Sequence, residues 1–140
     1  MAWDFSLYET AFFSGCRLSI LDPGGSITQA QQTSDGRYSL AYNGEVYNAP
    51  ELRRELGNGT PWVTQTDTEV VLRALSSWGV REALPKFNGM FAFALWDSTQ
   101  KRLWLARDRF GVKPLYWGYS GDGVLVFGSE RKALEAAGVR

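Results

Sequence analysis

The sequence offers few side chains for covalent catalysis. Its 140 residues contain one cysteine, Cys16, and no histidine. Ser-His-Asp and Cys-His catalysis are therefore excluded, as are histidine-ligated or cysteine-cluster metal sites and an internal disulfide. Neither a G-x-x-x-x-G-K-S/T loop nor a G-x-G-x-x-G turn occurs, so nucleotide binding has no support. We expect no metal and no cofactor.

Cys16 is a poor candidate for a nucleophile. A neighbouring cation such as Arg17 favours the reactive thiolate. Successive residues of a strand point to opposite faces, however, so a strand that turns Arg17 toward a ligand turns Cys16 away from it. With no histidine to act as a base, we interpret Cys16 as an inert, packed residue.

The remaining candidates are polar residues that also have ordinary structural interpretations. Arg17 carries a planar fork that binds a carboxylate through two parallel hydrogen bonds, although an arginine on a β segment is usually a surface charge. Asn43-Gly44 is a favoured two-residue hairpin connection. Asp67 follows a predicted N-cap, Thr66, where the helix dipole favours a carboxylate whatever its function.

The elements that must position these residues follow from the apolar patterns. Strands are predicted over residues 11–21 and 38–42. Helices are predicted to begin at Asn48 and at Thr66, the second with capping-box spacing to Glu69. Further strands over 90–96, 103–106 and 124–127 are apolar on both faces, and a short helix over 131–137 follows. Strands of that kind are covered on both faces, which favours stacked layers.

Composition indicates one globular domain spanning residues 1–140. Acidic and basic residues balance at fifteen each, so nothing attracts the chain to nucleic acid or to an anionic membrane. No apolar run approaches the ~20 residues of a membrane-spanning helix. The start, Met1-Ala2-Trp3-Asp4, lacks the features of a signal peptide. A soluble, cytoplasmic protein is expected.

Three strings carry a family resemblance: R-L-S-I-L-D (Arg17 to Asp22), Y-N-G-E-V-Y-N (Tyr42 to Asn48) and A-R-D-R-F-G-V-K-P-L-Y (Ala106 to Tyr116). Together they resemble the glutaminase domain of asparagine synthetases. These are class II glutamine amidotransferases of the N-terminal-nucleophile hydrolase type. The resemblance implies an α+β fold, an αββα four-layer sandwich. Charged residues in further matching strings, Arg107-Asp108 and Ser129-Glu130, are interpreted as partly buried scaffold.

The same resemblance implies a role for each candidate site residue. Asn43 and Gly44 would form the oxyanion hole, through the Asn side chain and the Gly N–H. Arg17 would hold the α-carboxylate of glutamine. Asp67 would bind its α-ammonium group, and Glu45 is a further candidate for that ammonium.

The family nucleophile is missing from its expected place. Members of the family begin with a cysteine whose own α-amine is the general base, whereas this chain begins Met1-Ala2-Trp3. Only sixteen residues precede Arg17, too few for the family's first strand, first helix and H-R-G-P-D-G loop. The S-G-G-x-D-S loop of the synthetase domain is also absent. We expect a truncated domain that lacks the first strand and helix and has no catalytic residue.

Three functions stay open at this point. The chain is a non-catalytic module that binds glutamine or a similar amino acid or serves in an interaction, a fragment of an active asparagine synthetase-type amidotransferase, or a purely structural homo-oligomer. A separate synthetase partner is unknown. Removing the first strand and helix should expose a strand edge and apolar surface. We therefore predict a two-fold homodimer with aromatic residues from Trp3 to Phe13 in the contact.

Overall fold

The computed structural model describes residues 1–6, 30–57, 59 and 61–139. The strands are β1 (Ala2–Ser6), β2 (Ala30–Gln32), β3 (Tyr38–Val46), β4 (Gly89–Asp97), β5 (Arg102–Arg107), β6 (Tyr116–Tyr119) and β7 (Leu125–Gly128). The helices are α1 (Ala49–Leu56), α2 (Asp67–Trp78), α3 (Val80–Ala83), a 3-10 turn (Leu84–Lys86) and α4 (Arg131–Ala136). Within these ranges no helix has the length and apolarity needed to cross a membrane.

Two antiparallel sheets are formed. The larger has the order β1-β5-β4-β3-β2, and the smaller consists of β6 and β7. In the larger sheet Asn43 pairs with Ala92 and Gly44 with Phe91. Asn43-Gly44 therefore lies inside a nine-residue strand and is not the hairpin turn that the dipeptide alone would favour.

One face of the larger sheet packs against α1 and α2. Its buried side chains include Leu40, Phe91, Phe93 and Leu95 from the sheet. Leu52 of α1 and five residues of α2 lie in the same cluster, namely Val70, Val71, Leu72, Ala74 and Leu75. The apolar face of α2 is thus the surface that covers the sheet.

The opposite face of the larger sheet forms a second apolar cluster. Ala92, Ala94, Trp96, Leu103 and Leu105 are buried there, and half-buried side chains of the smaller sheet pack against them: Trp117, Leu125 and Phe127. β4 and β5 are therefore covered on both faces, as predicted. The prediction was wrong for residue Val124, which is 55% exposed, and β7 begins one residue later.

The N-terminal residues pair differently from the expectation of a bare strand edge. β1 lies antiparallel to β5, from Ala2 opposite Ala106 to Ser6 opposite Arg102. Trp3 packs edge-on against Trp117 at 6.2 Å between ring centroids, so this aromatic residue has an intramolecular role. Phe5 also lies in β1, opposite Leu103. The aromatic positions from Tyr8 to Phe13 lie outside the described residues, as do the strand predicted over 11–21 and Cys16.

The two long helices begin where the sequence predicted but are capped differently. The side chain of Asn48 does not cap α1. Glu69 does not complete a capping box with Thr66, because its carboxylate accepts hydrogen bonds from the backbone N–H groups of Val63 (3.0 Å) and Thr64 (2.6 Å). These bonds tie the segment before α2 to the helix, which fixes where its first residue lies.

Candidate functional site

A carboxylate from the start of α2 reaches the strand that carries Asn43 and Gly44. Thr66 is extended, and Asp67 is the first residue of the helix. One oxygen of Asp67, Oδ2, accepts hydrogen bonds from the Tyr42 hydroxyl (2.7 Å) and from the backbone N–H of Val46 (3.0 Å). The two donors lie on either side of Asn43-Gly44-Glu45, so Asp67 is anchored beside this tripeptide.

The half of β3 next to Asp67 has one side on which no described strand pairs with it, called here the open edge of β3. β2 pairs only with Ser39–Ala41, so residues 42–46 have no strand on that side within the described ranges. Alternate residues of an antiparallel ladder direct their peptide groups to the same side. The N–H of Val46 points to Asp67 on the open side, and the same alternation directs the peptide group of Gly44 toward it.

On its other side, the same stretch of β3 is packed tightly against β4. A Cβ atom on Gly44 would lie 2.2 Å from the carbonyl oxygen of Met90 and 2.5 Å from the Cα of Phe91. A Cβ on Gly89 would lie 2.1 Å from the carbonyl oxygen of Glu45. Gly44 also has a φ of 152°, which favours glycine. Only glycine fits at residue 44, and the position of its peptide group is fixed by β4.

Asn43 and Glu45 lie on the face opposite Tyr42. Both are exposed, and Asn43 is the cross-strand partner of Ala92, a residue of the second apolar cluster. Paired residues share a face of a sheet. The structure therefore brings Asp67 to the open edge of β3 and places Asn43 and Glu45 on the adjoining face. Arg17 lies outside the described residues.

The Tyr42 hydroxyl is held in its neutral, donating form. Burial raises the pKa of Tyr42, and the negative charge of Asp67 and the hydrogen bond to it raise this pKa further. These effects disfavour the phenolate, because its charge would be poorly solvated and would lie next to the carboxylate of Asp67. Tyr42 therefore donates to Asp67 throughout the neutral pH range.

Two residues of the Y-N-G-E-V-Y-N string have positions that sequence reasoning missed. Tyr42 contacts Asp67, as described above. The Asn48 side chain donates to the carbonyl of Lys86 (2.9 Å) and accepts from the backbone N–H of Asn88 (2.9 Å). It thereby joins the start of α1 to the turn that enters β4. The signal was available, since both residues are the ends of the most specific string in the sequence.

The interpretation of Asp108 as scaffold fits its contacts. Asp108 is buried, and its carboxylate accepts hydrogen bonds from four backbone N–H groups, those of Phe91, Phe110, Val112 and Lys113, at 3.0–3.3 Å. Burial alone would raise the pKa of Asp108, but these four bonds outweigh it and lower the pKa below its usual range. The carboxylate fixes the loop over residues 108–113 against β4.

The corresponding interpretation of Ser129-Glu130 was wrong. Both residues are exposed. Glu130 precedes α4 and makes no side-chain cap to it. The apolar strand before the pair suggested burial, but the pair lies where the chain leaves β7 for α4.

Comparison with known proteins agrees with this arrangement. Residues 5–139 match the family described as "Glutamine amidotransferase domain". Asparagine synthetase [glutamine-hydrolyzing] 3 of Bacillus subtilis is 40% identical over 126 residues, covering 89% of this chain and 20% of that protein. Asparagine synthetase B [glutamine-hydrolyzing] of Escherichia coli is 40% identical over 126 residues, covering 90% and 22%.

A solved structure gives the same result for the fold. The glutamine phosphoribosylpyrophosphate amidotransferase of B. subtilis, complexed with ADP and GMP, superposes with a TM-score of 0.63 at 26% identity. The superposition covers 79% of this chain and 26% of that one. The mixed α and β architecture with antiparallel sheets is thus that of an amidotransferase.

The fold and the sequence match define a glutamine amidotransferase domain of class II. The chain belongs to the family of such domains found in asparagine synthetases. It spans about a fifth of the length of the curated relatives that it matches.

Proposed function

We propose that this domain binds glutamine, or a closely similar amino acid, without hydrolysing it. The observation that carries the proposal is the position of Asp67, anchored at 2.7 Å from Tyr42 and 3.0 Å from Val46 at the open edge of β3. A carboxylate held there beside the Asn43-Gly44 peptide suits a ligand that has both an ammonium group and an amide carbonyl. The relatives are named as glutamine-hydrolysing.

Each part of the ligand has a proposed partner. The α-ammonium would be bound by Asp67, with Glu45 as a second carboxylate, and the α-carboxylate by Arg17. The side chain of Asn43 and the N–H of Gly44 would donate to the amide oxygen. Hydrogen bonds between ionised groups are about twice as strong as neutral ones, so the ammonium and carboxylate contacts would supply most of the affinity.

The proposal that the chain does not hydrolyse glutamine is based on its reactive groups. In the mechanism implied by the family resemblance, one residue supplies a thiol and, through its free α-amine, the general base. Cys16 is the sole thiol of the 140 residues. Its nitrogen is part of a peptide bond and cannot accept a proton. The sequence contains no histidine to replace that base.

Binding and hydrolysis are tested separately on the purified 140-residue chain. NMR titration with glutamine should give a dissociation constant in the millimolar range, about −4 kcal/mol. Arg17→Ala and Asp67→Asn should each weaken it about tenfold, since each removes a hydrogen bond to a charged group. Glu51→Gln is the control, because Glu51 is exposed on α1 and its ion pair is with Arg54 of the same helix. Affinity unaffected by both site variants would refute the assignment.

Hydrolysis is followed as ammonia release from glutamine. We expect no release above background. Release that disappears in Cys16→Ser would show that Cys16 is a nucleophile and that the chain is an enzyme.

A second candidate function is that of a domain within a larger enzyme. It is favoured by the small part of each relative's length that the chain covers. Because it spans about a fifth of those proteins, the domain could be one part of a longer glutamine-hydrolysing amidotransferase. The intact mass of the protein isolated from its natural source separates the two candidates. A mass near 15.7 kDa supports the free-standing binding module, and a mass several times larger supports the amidotransferase.

The finer points of architecture are also proposals. The two clusters on opposite faces of the larger sheet support a four-layer αββα arrangement for the domain. We propose, in addition, that the chain forms a homodimer through its N-terminal aromatic segment. Light scattering at micromolar concentration tests the dimer, and a monomeric mass would refute it.

A further inference from the structure

We infer that Tyr42 is a positioning residue that holds Asp67 ready to recognise the α-ammonium group of a bound amino acid. The inference rests on the proposed function, since it assigns Tyr42 to the same site. It goes beyond that function because Tyr42 belongs to none of the ligand contacts that the family resemblance implies. Tyr42 acts through Asp67 and makes no contact with the ligand.

The argument begins with how the carboxylate is held. Two donors, the Tyr42 hydroxyl and the Val46 N–H, converge on one oxygen of Asp67, Oδ2. No described residue donates to the other oxygen, Oδ1. A carboxylate has about four acceptor positions. Two donors on one oxygen fix the side-chain torsions, and within the described part of the chain Oδ1 keeps its acceptor capacity for a ligand.

The next step is the direction from which the two donors approach. Val46 donates from the backbone of β3. Tyr42 donates from a partly buried side chain that packs against the helix-side core, the apolar cluster between the larger sheet and helices α1 and α2. The Tyr42 ring is held by that packing, so its hydroxyl is a fixed point. The backbone bond alone would leave the carboxylate free to rotate about the Val46 N–H. The Tyr42 bond removes this freedom, which lowers the entropy lost when a ligand binds.

The charge balance at the site supports the same role. Both donors to Asp67 are neutral, so the carboxylate keeps its full negative charge, and no described cation pairs with it. The pKa of Tyr42 is raised by burial and by Asp67, which keeps the hydroxyl a donor. A negative carboxylate with one unoccupied oxygen at a strand edge selects ligands with a cationic group and disfavours those without one.

The test compares two ligands that differ only in the group that Asp67 would bind. Glutamine has an α-ammonium, and glutaric acid monoamide has the same carboxylate and amide but no amine. Each is titrated by NMR into the wild-type chain and into Tyr42→Phe, which keeps the ring and removes the hydroxyl. We expect the variant to bind glutamine about three- to tenfold more weakly, the effect of one lost hydrogen bond, and to bind the monoamide as the wild type does.

Tyr38→Phe is the matched control. Tyr38 is on the same strand and also packs partly buried against the helix-side core, but no contact joins its hydroxyl to Asp67. It should leave both affinities unchanged. Thermal unfolding of both variants checks that each is folded.

The outcomes separate this inference from the proposed function. If the wild type does not bind glutamine, the proposed function fails and the inference fails with it. If the wild type binds glutamine and Tyr42→Phe weakens both ligands equally, Tyr42 only supports the fold and the inference is overturned. Unchanged glutamine affinity in Tyr42→Phe overturns it as well, while the proposed function stands.

Discussion

Asp67 and Asp108 lie in two regions that use a carboxylate in opposite ways. Asp108 is 3% exposed, and both of its oxygens accept backbone N–H groups from the loop over residues 108–113 and from β4. Asp67 is half-buried at the edge of β3, and the described residues donate to only one of its oxygens. Asp108 is thus both more deeply buried than Asp67 and bound by more hydrogen-bond donors.

The comparison separates a structural carboxylate from one that can bind a ligand. A buried carboxylate that accepts four N–H groups has no acceptor capacity left, and removing it would leave those donors unsatisfied. A carboxylate with one unoccupied oxygen costs less to replace, because the structure depends on fewer of its bonds. The same residue type therefore predicts a loss of stability in one region and a loss of binding in the other.

The largest loss of stability is expected for a substitution at Gly44, where β3 packs tightly against β4. Gly44→Ala should destabilise the fold by about 4 kcal/mol or more, or prevent folding, because its Cβ would overlap the backbone of β4. Gly123→Ala is the matched control, with a φ of 83° and no atom within 4 Å of its added Cβ. It should cost about 1–2 kcal/mol, the left-handed backbone alone.

Urea denaturation measures both variants. Equal losses for Gly44→Ala and Gly123→Ala would mean that β3 moves away from β4 without penalty. In that case the peptide group of Gly44 is not fixed, and the region around Asp67 is less rigid than its contacts indicate.

Asp108→Asn should have the next largest effect on stability. The amide presents an N–H₂ group to two of the four backbone donors and removes the charge from all of the bonds. We expect a loss of about 3 kcal/mol, since hydrogen bonds to charged groups contribute about 1.5–3 kcal/mol each. Asp122→Asn is the control, because Asp122 is exposed and accepts a hydrogen bond from Ser120 at the surface. A loss below about 1 kcal/mol for Asp108→Asn would contradict a structural role.

Local elements were predictable from the sequence because their signals are local. Asn48 and Thr66 marked the helix starts, since each is followed by an early proline or an acidic first turn. The apolar pattern of residues 90–96 predicted a strand covered on both faces. Gly44 was not placed within a strand: the predicted strand ended at Tyr42, because Asn-Gly by itself favours a hairpin, whereas β3 continues to Val46.

The contacts that build the site were not predictable, because they join distant parts of the chain. Tyr42 and Asp67 are 25 residues apart, and nothing in either segment indicates which oxygen of Asp67 is occupied. Asp108 was interpreted as scaffold, but nothing in the sequence indicates that its partners are four backbone N–H groups. The pairing of β1 with β5 was likewise not predictable, because it depends on the geometry of the sheet and joins residues about 100 positions apart.

Acidification should sharpen the contrast between the two carboxylates. The pKa of Asp108 is lowered in the folded state because four backbone N–H bonds outweigh the effect of burial. A group with a lowered pKa stabilises the fold above its unfolded pKa, about 3.9 for Asp, and this contribution is lost as pH falls through the folded pKa. The free energy of unfolding should therefore be level near neutral pH and fall below about pH 4.

The matched measurement is the same pH series on Asp108→Asn, which should fall less steeply. Some slope should persist in this variant. The pKa values of Asp97 and Glu69 are also lowered, with burial again outweighed by hydrogen bonds and by Arg37 and Arg73 respectively. Identical slopes for wild type and variant would show that Asp108 does not titrate with folding.

The smallest stability effect is expected for Asp67→Asn. The amide oxygen can accept both present bonds, from Tyr42 and from Val46, so neither donor is left unsatisfied. The two bonds lose the charge of their acceptor, and the interaction of that charge with the start of α2, about 0.3–1 kcal/mol, is also lost. Urea denaturation should therefore show a loss of about 1–2 kcal/mol, smaller than that of Asp108→Asn, while glutamine affinity falls about tenfold. In the same two assays, Asp108→Asn should show the opposite result, with a large loss of stability and a small change in glutamine affinity. If Asp67→Asn instead destabilised the fold as much as Asp108→Asn, Asp67 would be part of the scaffold, and the open oxygen at the edge of β3 would have no role in binding.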